Sequence, residues 1–183
     1  MPLSRDDILD AAVEVLQEYG LGDLSMRRLA RQLGVQPGAL YWHFPDKQAL
    51  LTAIAQIVIH ANDDVPYNGV WDDGVRVLAR RLRTSLLAYR DGAELIASVA
   101  AMRRLTRPRE QLVALLDGAG LTQDDASDAA DAVLHYVIGH TLDEQSHAQL
   151  AGYGVVEARA DDPVRRFELG LSLLVDGLCA RSP

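Results

Sequence analysis

The segment of this chain that most restricts its fold runs from Leu24 to Leu51. Its sequence is L-S-M-R-R-L-A-R-Q-L-G-V-Q-P-G-A-L-Y-W-H-F-P-D-K-Q-A-L-L. Two short helical patterns meet at Gly34, and glycine tolerates the positive φ that a sharp turn between helices requires. Pro37 suits the first turn of the second helix, where its missing N–H costs nothing. Pro45 stops that helix after Phe44. The stretch therefore predicts a helix-turn-helix.

The second of these helices carries three consecutive ring side chains, Tyr41, Trp42 and His43. Consecutive residues span most of the circumference of a helix, so the three cannot all face a core. Leu40 and Phe44, four residues apart, are the positions predicted to be buried. A large exposed ring is unusual without a partner, so the pattern indicates a contact surface.

Charge is distributed unevenly along the chain. The net charge is −8, yet residues 25–47 contain four basic side chains and one acidic one. Residues 48–183 contain 13 basic and 19 acidic side chains. Binding to phosphates needs a local positive patch, not a basic chain. The distribution therefore favours a small DNA-binding module attached to an acidic body.

The remaining sequence predicts helices throughout, because apolar residues recur three or four apart and no strand alternation stands out. A Ser-x-x-Asp start at Ser4 and a glycine at Gly20 bound the first helix. A helix over 46–62 links the two parts, and turn formers at 62–69 mark their boundary. Further helices are predicted at 71–90, 93–103, 108–118, 122–150 and 163–181. We therefore expect an all-α fold, with a helix-turn-helix domain at 1–47 and a helical effector-binding and dimerisation domain at 48–183.

Residues 4–62 resemble the DNA-binding domain of the tetracycline-repressor (TetR) family of bacterial transcription factors. The run L-Y-W-H-F-P-D-K-Q-A-L-L is close to the family signature over its third and fourth helices. Two later segments, Y-R-D-G-A-E-L at 89–95 and G-H-T-L-D-E-Q-S-H at 139–147, resemble the tetracycline-binding subgroup. The resemblance implies a ligand-responsive DNA-binding regulator, with repression as the family default, and not an enzyme.

The resemblance also assigns roles to the basic and aromatic residues of the first domain. The side chains expected to grip or flank DNA phosphates are Tyr41, Trp42, His43 and Lys47. The side chains expected to reach base edges are Arg27 and Gln36, because these positions approach the major groove. The remaining predicted DNA contacts are Arg28, Pro37, Gly38 and Ala39, of which Gly38 and Ala39 allow close approach and the Ala39 methyl suits a thymine methyl.

A single short helix specifies few bases, so a homodimer on a palindromic double-stranded DNA operator is expected. The helix at 122–150 and the last helix have apolar stripes suited to the four-helix bundle between subunits that the family uses. The same stripes would also suit packing within one chain. Both possibilities remain open from the sequence.

The family holds a small-molecule effector between helices of the second domain. The match predicts a mainly aliphatic lining, formed by Leu78, Leu82, Ile96, Val99, Met102, Leu112, Leu116 and Leu134. Ordinary core packing would place the same residues inside. In tetracycline-binding members, a histidine that ligates drug-bound magnesium stands where this chain has Ile96, and Val99 replaces another magnesium-linked polar position. We therefore expect a largely apolar effector rather than tetracycline with magnesium.

A second interpretation concerns His140, Glu144 and His147, which lie at i, i+4 and i+7 of one helix, a spacing able to gather a metal. Without a metal, these groups would line a pocket or decorate a helix end. No Gly-rich phosphate loop, G-x-S-x-G or H-E-x-x-H motif indicates an enzyme. A helical interaction module without DNA binding is the remaining alternative.

Composition bears on location and cofactors. Cys179 is the only cysteine, which excludes an intrachain disulfide and a cysteine-based zinc site. No signal-peptide pattern and no unbroken apolar run of membrane-spanning length stand out. We therefore expect a cytoplasmic protein without a cofactor or a membrane partner.

Overall fold

The computed structural model describes residues 3–60, 69–101, 107–157, 159 and 162–181. Within these ranges the chain forms nine α-helices joined by turns, without a β-strand, so the all-α prediction is confirmed. The helices are α1 (Arg5–Tyr19), α2 (Met26–Gln32), α3 (Pro37–Tyr41), α4 (Lys47–His60), α5 (Trp71–Leu87), α6 (Gly92–Ala101), α7 (Arg107–Asp117), α8 (Gln123–Gly152) and α9 (Pro163–Cys179).

Local signals set both ends of α1. The Asp7 N–H donates to the Ser4 hydroxyl at 3.1 Å, and the Ser4 N–H donates to the Asp7 carboxylate at 2.8 Å. This capping box satisfies donors that have no partner within the helix. At the other end, Gly20 has a φ of +86° and its N–H donates to the Leu16 carbonyl. Both predicted bounds of this helix are confirmed.

The helix-turn-helix follows the predicted local chemistry. The Ser25 hydroxyl caps α2 by accepting from the Arg28 N–H, and Gly34 takes a φ of +67° in the turn. The regular part of α3 ends at Tyr41, three residues before the predicted end. The Phe44 N–H still donates to the Leu40 carbonyl at 2.9 Å, but Pro45 has no N–H with which to continue the pattern.

Helix α4 connects the two parts of the fold. Its first turn is held by the Asp46 carboxylate, which accepts from the Ala49 N–H at 2.7 Å. The helix ends at His60, and the turn-former segment predicted at 62–69 lies almost wholly outside the described residues. Helix α4 packs against α1 on one side and against α5 and α6 on the other. Its buried Ile54 and Val58 join one continuous apolar core. The division after residue 47 thus stays a prediction.

The long helix α8 organises the second part by packing against α5, α6, α7 and α9. Small and branched residues three or four apart form its buried stripe: Ala126, Ala130, Val133, Val137, Ile138 and Thr141. Apolar periodicity predicts the same positions together with Ala129, which the structure leaves half-buried. Since alanine and valine let helix axes approach closely, α8 is surrounded on several sides.

The last helix differs from its prediction. Apolar periodicity predicts a buried stripe of Val164, Phe167, Leu171, Leu174 and Leu178 in this helix. The structure instead buries Phe167, Leu171 and Val175, four residues apart, and leaves Val164 50% exposed. Arg76 and Arg80 of α5 pair with Asp176 and Glu168 across the contact between these two helices. None of the described helices combines the length and apolarity needed to cross a bilayer.

Candidate nucleic-acid interface and effector site

The ring side chains of α3 and the following turn form an exposed surface. Trp42 is 91% exposed and Tyr41 is 50% exposed, while Leu40 and Phe44 are buried. His43 is half-buried between these extremes. Leu40 and Phe44 fix the orientation of the segment by entering the core, so the large rings project outward from a rigid base.

The start of α3 includes residues with small side chains or none. Gln36 occupies the N-cap position, is exposed, and makes no side-chain capping bond. A methyl group placed on the exposed Gly38 would meet no described atom within 4 Å. The fold itself therefore does not require glycine at this position, and the open space is available to a partner. Ala39, beside it, is half-buried.

The basic residues predicted to contact DNA fall into two environments. Arg27 is exposed, and Lys47 is half-buried at the start of α4. The Arg28 guanidinium is ion-paired with Asp23 and lies 3.6 Å from the centre of the Tyr19 ring. Arg28 thus braces α2 against the end of α1 in this structure.

A polar cluster that the sequence did not predict joins the DNA-binding unit, helices α1 to α3, to the helical body. Asp91, between α5 and α6, is the one described non-glycine residue with a positive φ, at +54°. Its carboxylate accepts from the Leu21 N–H at 2.8 Å and from the Gln149 side-chain amide of α8. Beside it, the Arg90 guanidinium donates to the Glu18 carbonyl at 2.7 Å. We call Gln17, Arg90, Asp91, Gln145 and Gln149 the joint.

Helix α8 supplies the other half of the joint. The Gln145 amide donates to the Tyr89 carbonyl at 2.9 Å, and its oxygen accepts from the Ala93 N–H at 3.0 Å. The Gln17 amide of α1 donates to the Ala88 carbonyl. The turn at 88–93 is therefore bonded to both α1 and α8. The only sequence signal of this role is an aspartate followed by a glycine at 91–92.

The residues predicted to line an effector site lie in the core. Six of them are buried: Leu82, Ile96, Val99, Leu112, Leu116 and Leu134. Leu78 is partly buried, and Met102 lies outside the described residues. The cavity beside Leu78 and Leu82 has a volume of about 10 Å³, which at most admits one water molecule. In this conformation these side chains pack as core, and their part in ligand binding stays a prediction.

The metal interpretation of His140, Glu144 and His147 is wrong for the described part of the chain, in which no three metal-ligating side chains converge. Both Glu144 oxygens accept from the Arg83 guanidinium, at 2.8 and 2.9 Å. His147 Nε2 lies 3.1 Å from the Glu157 carbonyl oxygen. Helical spacing puts the three residues on one face of α8, but Arg83 and the Glu157 carbonyl oxygen interact with the Glu144 and His147 side chains.

His140 instead belongs to a ring cluster at the contact between α8 and α9. Its ring centre lies 5.7 Å from that of Tyr136 and 5.4 Å from that of Phe167. Neither ring nitrogen has a hydrogen-bond partner among the described residues. Burial, followed by the nearby Arg166 charge, lowers the pKa of His140 below its ordinary value of 6.5. The neutral ring is therefore the favoured form in the folded protein.

A larger cavity opens where α8 meets the start of α9. It has a volume of about 260 Å³, and we call it the α8–α9 cavity. Its lining comprises Glu144, His147, Ala148, Ala151, Arg159, Pro163 and Arg166. None of these belongs to the predicted aliphatic lining, because a position beside a helix end and a loop has no signature in apolar periodicity.

A third feature is an apolar face along α8 and α9. Leu169 and Leu173 of α9 are 59% and 68% exposed, and Leu150 of α8 is 43% exposed. A groove of about 510 Å³ runs between the same two helices, with Ala129, Val133, Leu174 and Leu178 in its walls. Exposed apolar faces of this kind mark association surfaces.

Two family models match successive parts of the chain. Residues 8–54 match the family described as bacterial regulatory proteins, tetR family, and residues 65–160 match the tetracyclin repressor-like C-terminal domain. The tetracycline repressor protein class A from transposon 1721 of Escherichia coli is 34% identical, over 98% of this chain and 92% of that protein.

Solved structures agree over nearly the whole length. BioQ of Mycobacterium smegmatis has a TM-score of 0.91 and 41% identity, covering 97% of this chain and 98% of its own. BioQ solved with its double-stranded DNA operator has a TM-score of 0.85 and 40% identity, over 97% of this chain and 99% of that one. ActR of Streptomyces coelicolor in complex with (S)-DNPA has a TM-score of 0.77 and 30% identity, over 98% of each chain.

Proposed function

Because the chain belongs to the TetR family of bacterial regulatory proteins, we propose that it is a ligand-responsive transcriptional repressor that binds a palindromic DNA operator as a homodimer. The observation that carries this proposal is the exposed surface of α3. Trp42 is 91% exposed on a segment whose neighbours Leu40 and Phe44 are fixed in the core. A large ring held rigidly in water is unusual, and a partner that covers the ring accounts for its exposure. BioQ, with 40% identity, is solved with a double-stranded DNA operator.

We assign the contacts by chemistry and exposure. Tyr41, His43 and Lys47 position the protein on phosphates, because a hydroxyl, an imidazole and an ammonium all donate to phosphate oxygens. Arg27 and Gln36 stand at the starts of α2 and α3, where base edges in the major groove are within reach. Trp42 flanks the groove, while Pro37, Gly38 and Ala39 allow the backbone to approach the bases.

Among the predicted DNA contacts, Arg28 is the residue least available for binding DNA. Its guanidinium is held by Asp23 and stacked over Tyr19. To reach a phosphate it would first have to leave both partners. We propose that Arg28 mainly positions α2 on α1, and that its effect on operator affinity is smaller than that of Arg27.

The homodimer is proposed to form through the exposed apolar face of α8 and α9. Two copies of this face would make a four-helix bundle. A two-fold dimer then places two α3 helices over successive major grooves, about 34–36 Å apart. The exposed residues that would be covered include Leu150, Leu169 and Leu173.

A small molecule is proposed to release the DNA by binding one conformation of the body better than the other. ActR, for instance, is solved with (S)-DNPA. The aliphatic set at Leu78, Ile96, Val99 and Leu112 would hold such a molecule only in a conformation in which the core opens. Any such change reaches the DNA-binding unit through the joint, because Arg90 bonds to Glu18 of α1 and Asp91 bonds to Leu21 in the turn that follows α1.

Two further proposals follow from a DNA partner. We infer that the protein works in the cytoplasm, where bacterial DNA lies, and that its activity is regulatory rather than catalytic. The relatives with matching length are regulators.

Fluorescence anisotropy tests the function with a labelled duplex taken from the DNA immediately upstream of the coding region. We expect operator affinity to fall steeply with salt, because each neutralised phosphate contributes about 0.9 to the slope of log K against log salt. Because the homodimer carries two copies of Lys47, Lys47→Gln should lower that slope by about 2. Trp42→Ala should weaken binding without changing thermal unfolding.

Arg165→Gln is the matched control, since Arg165 is exposed on α9 and far from α3 in the sequence. It should bind the operator as the unmodified protein does. Salt-insensitive binding, or equal affinity of the Lys47, Trp42 and Arg165 variants, would contradict the proposal. Absence of any binding to the duplex would instead favour a helical interaction module without DNA binding.

A further inference from the structure

We propose that Arg5, in the first turn of α1, is a further contact to the DNA backbone and extends the DNA-binding surface from α3 onto α1. The ligand of its guanidinium would be a phosphate at the edge of the major groove. This inference rests on the proposed function, because it takes DNA to be the partner. Arg5 lies outside residues 25–47, the segment whose basic charge predicts DNA binding.

The tertiary structure places Arg5 against the segment that carries the exposed rings. Its guanidinium carbon lies over the Phe44 ring, 4.7 Å from the ring centre. Phe44 is 1% exposed, and its N–H donates to the Leu40 carbonyl, which fixes its position relative to α3. The guanidinium is therefore held beside the end of this segment although it belongs to another helix.

Phe44 lies within the stretch that supplies the proposed phosphate contacts. His43 immediately precedes it, and consecutive Cα atoms are about 3.8 Å apart. Lys47, three residues beyond Phe44, begins the next helix. The Arg5 charge is therefore added to the part of the molecule in which the sequence already concentrates positive charge.

No carboxylate of the described residues forms an ion pair with Arg5, which is exposed. Asp7, two residues further on, is bound by the Ser4 N–H and hydroxyl at 2.8 and 2.6 Å. Asp6 is the next residue along α1, and successive side chains point about 100° apart around a helix. The positive charge of the guanidinium is thus available to an anionic partner.

Folding alone gives little reason for a cation at this position. The amino-terminal end of a helix carries a positive partial charge, so an arginine is unfavourable there, whereas Asp6 and Asp7 are favourable. The contact with the Phe44 ring is favourable by a similar amount, because the ring face is electronegative. Since these two effects nearly cancel, Arg5 contributes little net stability to α1. Binding of an anion gives the residue a role that folding does not.

The geometry of the contact favours a phosphate. A guanidinium that lies over a ring uses its flat face, and its five N–H donors, which lie in its plane, remain available. These donors match the oxygen atoms of a phosphate. A helix-turn-helix inserts its second helix, here α3, into the major groove. Because α3 occupies the groove, a cation beside the end of its segment reaches the sugar–phosphate edge rather than the bases.

Salt titrations of DNA binding test this contact in the full-length protein, with the labelled upstream duplex as probe and fluorescence anisotropy as readout. Arg5→Met keeps an unbranched apolar side chain over the ring and removes the charge. Because the homodimer carries two copies of Arg5, we expect Arg5→Met to lower the slope of log K against log salt by about 2. Binding at about 0.1 M salt should weaken at least tenfold. Arg5→Lys, which keeps the charge, should keep the slope.

Arg165→Met is the matched control, because Arg165 is exposed on α9 and loses the same charge. Its slope should equal that of the unmodified protein, and thermal unfolding of Arg5→Met should be unchanged. A lower melting temperature with an unchanged slope would mean that Arg5 only braces α1 against Phe44, and would overturn the proposal. A loss of binding on the operator that is absent on a scrambled duplex would also overturn it, because phosphate contacts carry no sequence information.

Neutral phosphate substitution locates the contact. Duplexes in which a methylphosphonate replaces one phosphate at a time lack a single negative charge at a known position. We expect one position in each half-site at which this replacement weakens binding by the unmodified protein and leaves binding by Arg5→Met unaffected. That position should differ from the one lost in Lys47→Gln. If every replacement weakens Arg5→Met as much as the unmodified protein, Arg5 binds no phosphate.

The same series separates this inference from the proposed function. Steeply salt-dependent binding by the unmodified protein, with a lower slope for Lys47→Gln but equal slopes for Arg5→Met and Arg165→Met, refutes only the Arg5 contact. Absence of salt-dependent binding by the unmodified protein refutes the proposed function, and the Arg5 contact with it.

Discussion

Replacing the half-buried Asp91 should weaken the attachment of the DNA-binding unit to the body. The carboxylate accepts from the Leu21 N–H and from the Gln149 amide, and the residue holds a φ of +54°. Asp91→Ala removes both acceptors and leaves the Leu21 N–H unpaired in a partly buried place. It also keeps an unfavourable backbone conformation without the side chain that compensates it.

The expected decrease in the free energy of unfolding follows from these contacts. Two hydrogen bonds to a charged acceptor contribute about 1.5–3 kcal/mol each, and partial exposure reduces their sum to about 2–3 kcal/mol. Asp91→Ala should therefore lower the free energy of unfolding by about 3 kcal/mol once backbone strain is added. Asp91→Asn, which keeps an oxygen acceptor and tolerates positive φ, should cost about 1 kcal/mol. Asp91→Gly relieves the strain and should fall between the two.

Urea unfolding followed by far-UV circular dichroism measures these differences, at one protein concentration because dimers gain stability from mass action. Amide hydrogen exchange of the segment around Leu21 gives a local measure, and we expect faster exchange in Asp91→Ala. An Asp91→Ala protein as stable as Asp91→Asn, with unchanged exchange at Leu21, would refute the role assigned to the joint.

Three further outcomes are expected from the body. Arg83→Met should lower the free energy of unfolding in urea by about 2–3 kcal/mol, because the largely buried Glu144 charge then has no partner. A decrease of less than about 0.5 kcal/mol would argue against that pairing. His140 has a lowered pKa in the folded state, so its stability contribution is complete above its ordinary value of 6.5 and is lost as pH falls through the folded value. Unfolding measured from pH 7.5 down to 5 should therefore show a decline that His140→Gln reduces, and identical pH profiles would contradict this. Leu173→Arg places like charges against each other across a two-fold axis and should give monomers in sedimentation velocity; an unchanged dimer would place the subunit contact elsewhere.

Local features of this protein were predictable because neighbouring residues produce them. The capping box at Ser4, the turn at Gly34 and the stop at Pro45 each depend on two to five residues of sequence. The exposure of Trp42 followed from helix geometry alone, because Leu40 and Phe44 could not be buried without directing the intervening rings outward. The family resemblance of the Tyr41–Lys47 region is confirmed by the comparisons.

Features that depend on how separate elements pack together were not predictable in this way. The basic side chain of Arg28 was grouped with Arg27 by sequence, but its partners are Tyr19 at the end of α1 and Asp23 in the turn before α2. His140, Glu144 and His147 had a plausible metal spacing on one helix. Arg83, more than 50 residues earlier in the chain, takes Glu144 instead.

The sequence alone determined that this chain is helical, where its helices begin and end to within a few residues, and which short segment exposes large rings to solvent. Those properties arise from backbone dihedrals, capping and helical periodicity, which act over one or two turns. Tertiary structure decided which charges are paired, which apolar residues close into core, and where a cavity remains. The α8–α9 cavity exists because the end of α8, Arg159 and the start of α9 meet in space, and no short-range pattern encodes the packing of those segments.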